Sequence, residues 1–176
     1  HVEVKREDDL KEIRSLHAFF GRYITFFLIG QIQAAITVLG DLFYINIQCP
    51  HPFLFWLAAA ASSFVFTLFI YSLTVAMGNV GEAIAVVVMV IQVAGAGGTF
   101  PIEVLPMVYQ MIYKFLPFTY CMNALRECVG GMYRNDYWKD IRTLGIYVLI
   151  SLFIGLVVAI PFRKLNKKIE RSKEKS

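Results

Sequence analysis

Lys114, Arg126 and Glu127 are the charges in this 176-residue chain that most need an explanation, because they stand in an apolar stretch, residues 95–131, broken by Pro101, Pro106 and Pro117. An unpaired charge at the centre of a membrane costs about 2.5 to 3.5 kcal/mol on insertion scales, so each must reach water or find a partner. Neighbours on a helix point apart, so Arg126 and Glu127 need separate partners. Two roles fit these three charges: an ion pair that holds a helical element together, or a gate or substrate contact at the mouth of a pathway. Covalent catalysis does not fit. The chain has no HExxH, GxSxG or GxxxxGK[ST] and no pair of carboxylates that the pattern brings together. His1, His17 and His51 all lie outside the apolar runs, so no imidazole is placed to activate a nucleophile there.

Cys49, Cys121 and Cys128 form no CxxC and have no histidine at ligand spacing, which argues against a bound metal. Free thiols are their plain meaning, and an outer-side disulfide of Cys49 with Cys121 or Cys128 is the alternative. No cofactor is expected.

The elements that must position these residues are membrane helices. Hydrophobic residues make up 57% of the chain and the mean hydropathy is +0.59, above the roughly 45 to 50% apolar share of soluble domains. The net charge of +4 and pI near 9.0 come largely from residues flanking apolar runs, where cytoplasmic Lys and Arg sit, so they speak for topology rather than for nucleic acid. No linker or internal repeat divides the chain, which reads as one bundle. It begins at His1 with a charged segment and no signal peptide, and is expected to be the C-terminal part of a longer protein.

Residues 1–20 carry Leu10, Ile13, Leu16 and Phe20 at helical spacing among mixed charges, the pattern of an amphipathic helix at a membrane surface. That helix is either a solvated face or the receiver of force from a cytoplasmic partner. Spans are expected at about 23–45, 53–77, 82–98 and 141–162, each judged against a hydrocarbon core of about 30 Å. In the first, Gln31, Gln33 and the end residue Asp41 either pack against other helices or line a substrate path. The connection NIQCPHP has no Lys or Arg and suits an outer loop, in which His51 is taken as solvated. The run Ala58 to Ser63 supplies small residues for close helix packing. Residues Gly78 to Glu82 read as a tight cytoplasmic loop.

Gly97 and Gly98 end the third span, and Pro101 and Pro106 fall where helices restart. Residues 103–130 are the decisive segment. If they crossed the membrane, the basic tail 163–176 would lie opposite the basic N-terminal segment, against the positive-inside bias. Met107 to Leu116 would make a helix of only about 15 Å. The segment is therefore expected to be re-entrant, two half-helices meeting in a V around Pro117, with Thr119 capping the second and Gly130 with Gly131 ending it. Tyr133, Tyr137 and Trp138 are expected to anchor the start of the last span at the headgroups. The tail is expected to lie against anionic lipid.

Two runs in this region, GGTFPIEVLP and FLPFTYCMNALRE, resemble the outer re-entrant signature of type-2 ABC transporter membrane domains. More closely, residues 95–131 are similar to the C-terminal region of the YhgE/Pip proteins, also called phage infection proteins, with weaker agreement through the spans. The resemblance implies a six-span domain whose first two spans and extracellular segment precede this chain. It also implies a homo- or heterodimer and coupling to a cytoplasmic ATP-binding subunit. The expectation is an all-α polytopic membrane bundle of four transmembrane helices plus an outer re-entrant pair, in a bacterial plasma membrane, with both termini cytoplasmic. Its function would be that of an exporter-type permease moving an amphipathic or cell-envelope substrate outward. The alternative is a membrane anchor or scaffold for a phage receptor or secretion complex.

Overall fold

A computed structural model describes residues 15–95, 104, 106–132 and 135–158. Six α-helices account for almost all of them: α1 (Ser15–Leu39), α2 (Pro52–Met77), α3 (Asn79–Gly95), α4 (Met107–Ile112), α5 (Pro117–Gly130) and α6 (Asp136–Phe153). Wider π turns prolong α1 over Gly40–Tyr44 and α6 over Ile154–Val158, and a 3-10 turn, Tyr113–Phe115, follows α4. Of the amphipathic helix expected over 1–20, residues 15–20 open α1 without a break from the first span; residues 1–14, the turn residues Gly97, Gly98 and Pro101, the anchor Tyr133 and the tail lie outside the described residues.

Among the described residues, three stretches are long and apolar enough to cross a membrane: Phe19–Tyr44, Pro52–Met77 and Asp136–Val157. Asn79–Gly95 is apolar but has 17 residues, about 26 Å at 1.5 Å per residue. The protein is an all-helical, multi-pass membrane protein.

α2 is apolar on all sides, as a helix enclosed by others should be, and it packs against α1, α3, α5 and α6. Close approach to α1 depends on small groups. The hydroxyls of Ser63 and Thr67 lie 2.8 and 2.9 Å from where a Cβ on Gly30 would sit, and Gln31 donates its amide to the Ala60 carbonyl at 3.1 Å. The Ala58–Ser63 run does form a packing face, with Ala58 wholly buried.

Contacts fix the directions of the helices. The Tyr71 hydroxyl, near the end of α2, donates to the Phe19 carbonyl near the start of α1 at 2.9 Å, so α1 and α2 are antiparallel. The Tyr137 hydroxyl, at the start of α6, donates to the Leu54 carbonyl at the start of α2 at 2.8 Å. At the other end Gly155 approaches Phe19 and Ser72. α2 and α6 therefore run parallel. Three apolar clusters stack along them: Val38, Phe55, Ala58, Ala124, Cys128 and Tyr137 at the end where α2 starts, Val65, Cys121 and Leu144 in the middle, and Phe19, Tyr23, Leu68 and Tyr71 at the far end.

The segment Gly78 to Glu82, expected as a loop, is instead a corner of one residue. α2 ends at Met77, Gly78 takes φ 62°, and α3 begins at Asn79. Hydrogen bonds close both sides, Gly78 N–H to the Thr74 carbonyl at 2.8 Å and Glu82 N–H to the Gly78 carbonyl at 3.1 Å. Only a glycine adopts that conformation cheaply. Gly81 is buried so tightly that a Cβ there would overlap the Leu73 carbonyl, which lets α3 fold straight back along α2.

Candidate functional site

The α4–α5 pair is built on Pro117. Leu116 is extended, φ −105° and ψ 131°, as a residue before proline prefers, and Pro117 takes the first helical position of α5. Helix α5 thus starts two residues before the expected cap at Thr119. Thr119 lies inside the first turn, where its hydroxyl reaches back to donate to the Tyr113 carbonyl at 2.9 Å. Tyr120 likewise donates to the Lys114 carbonyl at 2.6 Å. The first turn of α5 thereby ties back to the 3-10 turn, whose Tyr113 carbonyl also accepts from Leu116 N–H at 3.2 Å. Pro106 holds the other end of the pair, its carbonyl accepting from Gln110 N–H at 3.3 Å. As expected, α5 stops at Gly130, and Gly131 turns the chain at φ 90°.

Pro117, Cys121, Ala124 and Cys128 are the residues of α5 that, with Thr119, are buried. Their spacing of four, three and four residues is one stripe of a helix, and that stripe is seated against α2 and α6. Cys128 and Ala124 join Phe55, Ala58 and Tyr137 near the start of α2, Cys121 joins Val65 and Leu144 deeper in, and the Phe118 ring lies 5.9 Å from Phe66. α5 therefore reaches about half-way along α2. Burial pushes the Cys121 thiol up to about 12 and the Cys128 thiol up to about 11, since thiolates are disfavoured in apolar surroundings. Sequence reasoning treated the cysteines only as thiols and missed that they are the small residues of a packing stripe; their helical spacing was the available signal.

Lys114 and Arg126 are exposed on the side of the pair away from the buried stripe, whereas Glu127 is half-buried beside that stripe, toward α6. Arg126 and Glu127 each have an interaction partner. Glu127 and Asp136 place their negative charge near Asp140 across the α5–α6 junction, and Asp136 pairs with Lys139 at 2.5 Å. That acidic group was not foreseen, because it forms only when α5 and α6 pack.

The polar residues of the first span do not converge. Gln31 ties α1 to α2, Gln33 is exposed, and Asp41 is half-buried in the π turn, where its carbonyl accepts from Ile47 N–H at 3.1 Å. Trp138 is exposed, whereas Tyr137 is wholly buried. Successive residues on a helix lie about 100° apart, so one of the pair faces α2 and the other faces outward. Gln92 was also overlooked: it is fully buried on α3, and its Oε1 has no hydrogen-bond partner among the described residues.

Residues 5–129 match the sequence profile of the ABC-2 type transporter membrane family. The chain belongs to that family. It is 32% identical over 156 residues to the uncharacterized protein YhgE of Bacillus subtilis (strain 168), covering 89% of this chain and 20% of that protein. It is also 30% identical over 60 residues to nodulation protein J of Rhizobium leguminosarum bv. trifolii, covering 34% of this chain and 23% of that one. The ABC-2 chain thus spans about a fifth of the length of the curated relatives it matches. No solved structure matches it. The match is to the membrane domain of ABC-2 type transporters.

Proposed function

We propose that this chain is the membrane domain of an exporter-type ABC-2 permease, with four spans and a re-entrant α4–α5 pair on the outer side, moving an amphipathic or cell-envelope substrate outward. The observation that carries this is the depth of α5, which stops half-way along α2 beside Phe66. Since α2 and α6 start at the same end and α3 folds back toward it, the chain between α3 and α6 begins and ends on one side. Six-residue α4, about 9 Å long, cannot cross a core of about 30 Å. Irregular backbone at membrane depth persists only where protein or a watery cavity covers it. A half-depth wedge with a buried stripe inward, Lys114 and Arg126 outward and Glu127 at the α5–α6 junction suits an outer lid over a pathway, with those charges as its gate.

The positive-inside bias then puts residues 1–14 and 163–176, with Arg22, in the cytoplasm of a bacterial plasma membrane. The corner at Gly78, with Glu82 exposed beside it, and the N-terminal segment are the inner surfaces available to a separate ATP-binding subunit. Transport would proceed by rigid movement of helix bundles in a dimer. Gln31, Gln33 and Asp41 are its secondary candidates for path lining.

The test is reconstitution of the full-length protein with its ATP-binding subunit in liposomes containing a fluorescent short-chain phospholipid. The proposal expects stimulated ATP hydrolysis and ATP-dependent movement of the probe, both lowered severalfold by Arg126→Ala. A protein that stimulates no ATPase and moves no probe would be a membrane anchor or scaffold instead.

A further inference from the structure

Cys49 and Cys128 are 79 residues apart in sequence and meet in space, the Cys49 thiol donating to the Cys128 main-chain carbonyl at 3.2 Å. Cys128 lies in the last turn of α5, where carbonyls lack partners within the helix, so a weak S–H cap is the modest meaning of this contact. The geometry goes further. With that contact made, bond lengths confine the two Cα atoms to about 8 Å at the widest, against the roughly 4.4 to 6.8 Å that disulfides span. Cys49 sits on the non-helical connection between α1 and α2, which can supply the remaining shift. Both cysteines also belong to one packed group, with Cys49 lying against the cluster that contains Cys128, whereas Cys121 packs deeper against Val65 and Leu144. The sequence left two partners open for Cys49, and only Cys128 is at hand.

We propose that Cys49 and Cys128 form a disulfide that fastens α5 to the α1–α2 connection. It rests on the reading above in one respect, that this end of the bundle faces the oxidising side of the membrane. The oxidant is a disulfide, of a small molecule or of a thiol oxidase. Half-buried Cys49 is the reachable thiol and Cys128 is wholly enclosed, which sets the order of events. The Cys49 thiolate attacks one sulfur of the oxidant's disulfide, forming a mixed disulfide and releasing the other sulfur as a thiolate. The Cys128 thiol then loses its proton and attacks the Cys49 sulfur, expelling the second oxidant sulfur. Two cysteine thiols are oxidised to one disulfide, the oxidant is reduced to two thiols, and no other electron acceptor is needed. The product closes a covalent loop from the α1–α2 connection through α2, α3 and α4, so α5 can no longer move away from its seat.

Membranes containing the full-length protein would be treated with oxidised glutathione, quenched with acid, alkylated in denaturant and mapped by mass spectrometry. The expected result is a Cys49–Cys128 cross-linked peptide with Cys121 alkylated, kept in Cys121→Ser and absent from Cys49→Ser. Recovery of Cys49 and Cys128 both alkylated, or only as separate mixed disulfides with glutathione, or of Cys49 joined to Cys121, would overturn the proposal. Because the added oxidant reaches both sides of opened membranes, failure here is distinct from failure of the transporter reading, which this measurement does not touch.

Discussion

Gly81 and Gly145 offer a matched pair of tests at the level of single residues. A Cβ on Gly81 would run into the Leu73 main chain, while one on Gly145 meets nothing within 4 Å. Gly81→Ala should therefore lower stability by about 1 to 3 kcal/mol through overpacking that backbone cannot relieve. Gly145→Ala should be neutral or raise it by up to about 1 kcal/mol through helix propensity. Thermal unfolding in one detergent would check both, and an equal effect of the two would refute the close α2–α3 corner. Tyr137→Phe removes a buried hydroxyl bonded to the Leu54 carbonyl and should cost about 0.5 to 1.5 kcal/mol. The same change at Tyr44, which is almost fully exposed, should be silent. The identity of these residues was plain in the sequence, but their burial was not: nothing in the string YWKD says which aromatic turns inward. The gate charges were legible as charges, since an apolar stretch makes them stand out, whereas the neighbouring Asp140 became part of their surroundings only through α5–α6 packing.

At the level of elements, α5 behaves as a wedge whose inward stripe must stay small. Ala124 is wholly buried between α2 and α6, and Ala124→Leu should destabilise the protein by roughly 1 to 3 kcal/mol, read as a lower melting temperature and, in the reduced protein, as increased alkylation of Cys121 and Cys128 as the wedge lifts. Unchanged protection of both thiols would mean that α5 is not held by this seat. The long spans and the proline break at Pro117 were legible because length and proline act locally. The one-residue corner at Gly78 was not, because Gly-Asn-Val-Gly-Glu has loop composition and becomes helix only when Gly81 lets α3 close on α2. Thr119 misled for a related reason. A threonine near a helix start is a good cap, but Pro117 already starts α5 and leaves the hydroxyl free to serve the turn before it.

For the whole molecule, the family and the all-helical membrane architecture were readable in advance, the first from residues 95–131 and the second from composition. The parallel course of α2 and α6 was implied as well, since the positive-inside argument starts both spans on the outer side, but the contacts that hold it, such as Tyr137 to Leu54, join residues far apart in the chain and were not. That course carries the central claim, that α4 and α5 enter and leave on one side of the membrane. The direct test is single-cysteine labelling of the cysteine-free protein in intact cells at Gln48 in the α1–α2 connection, Asn79 at the start of α3 and Asn135 just before α6, all exposed positions. The re-entrant arrangement predicts that an impermeant maleimide labels Gln48→Cys and Asn135→Cys from outside, and Asn79→Cys only after the membrane is opened. Labelling of Gln48→Cys and Asn135→Cys from opposite sides would mean that the α4–α5 segment crosses the membrane, and would contradict it.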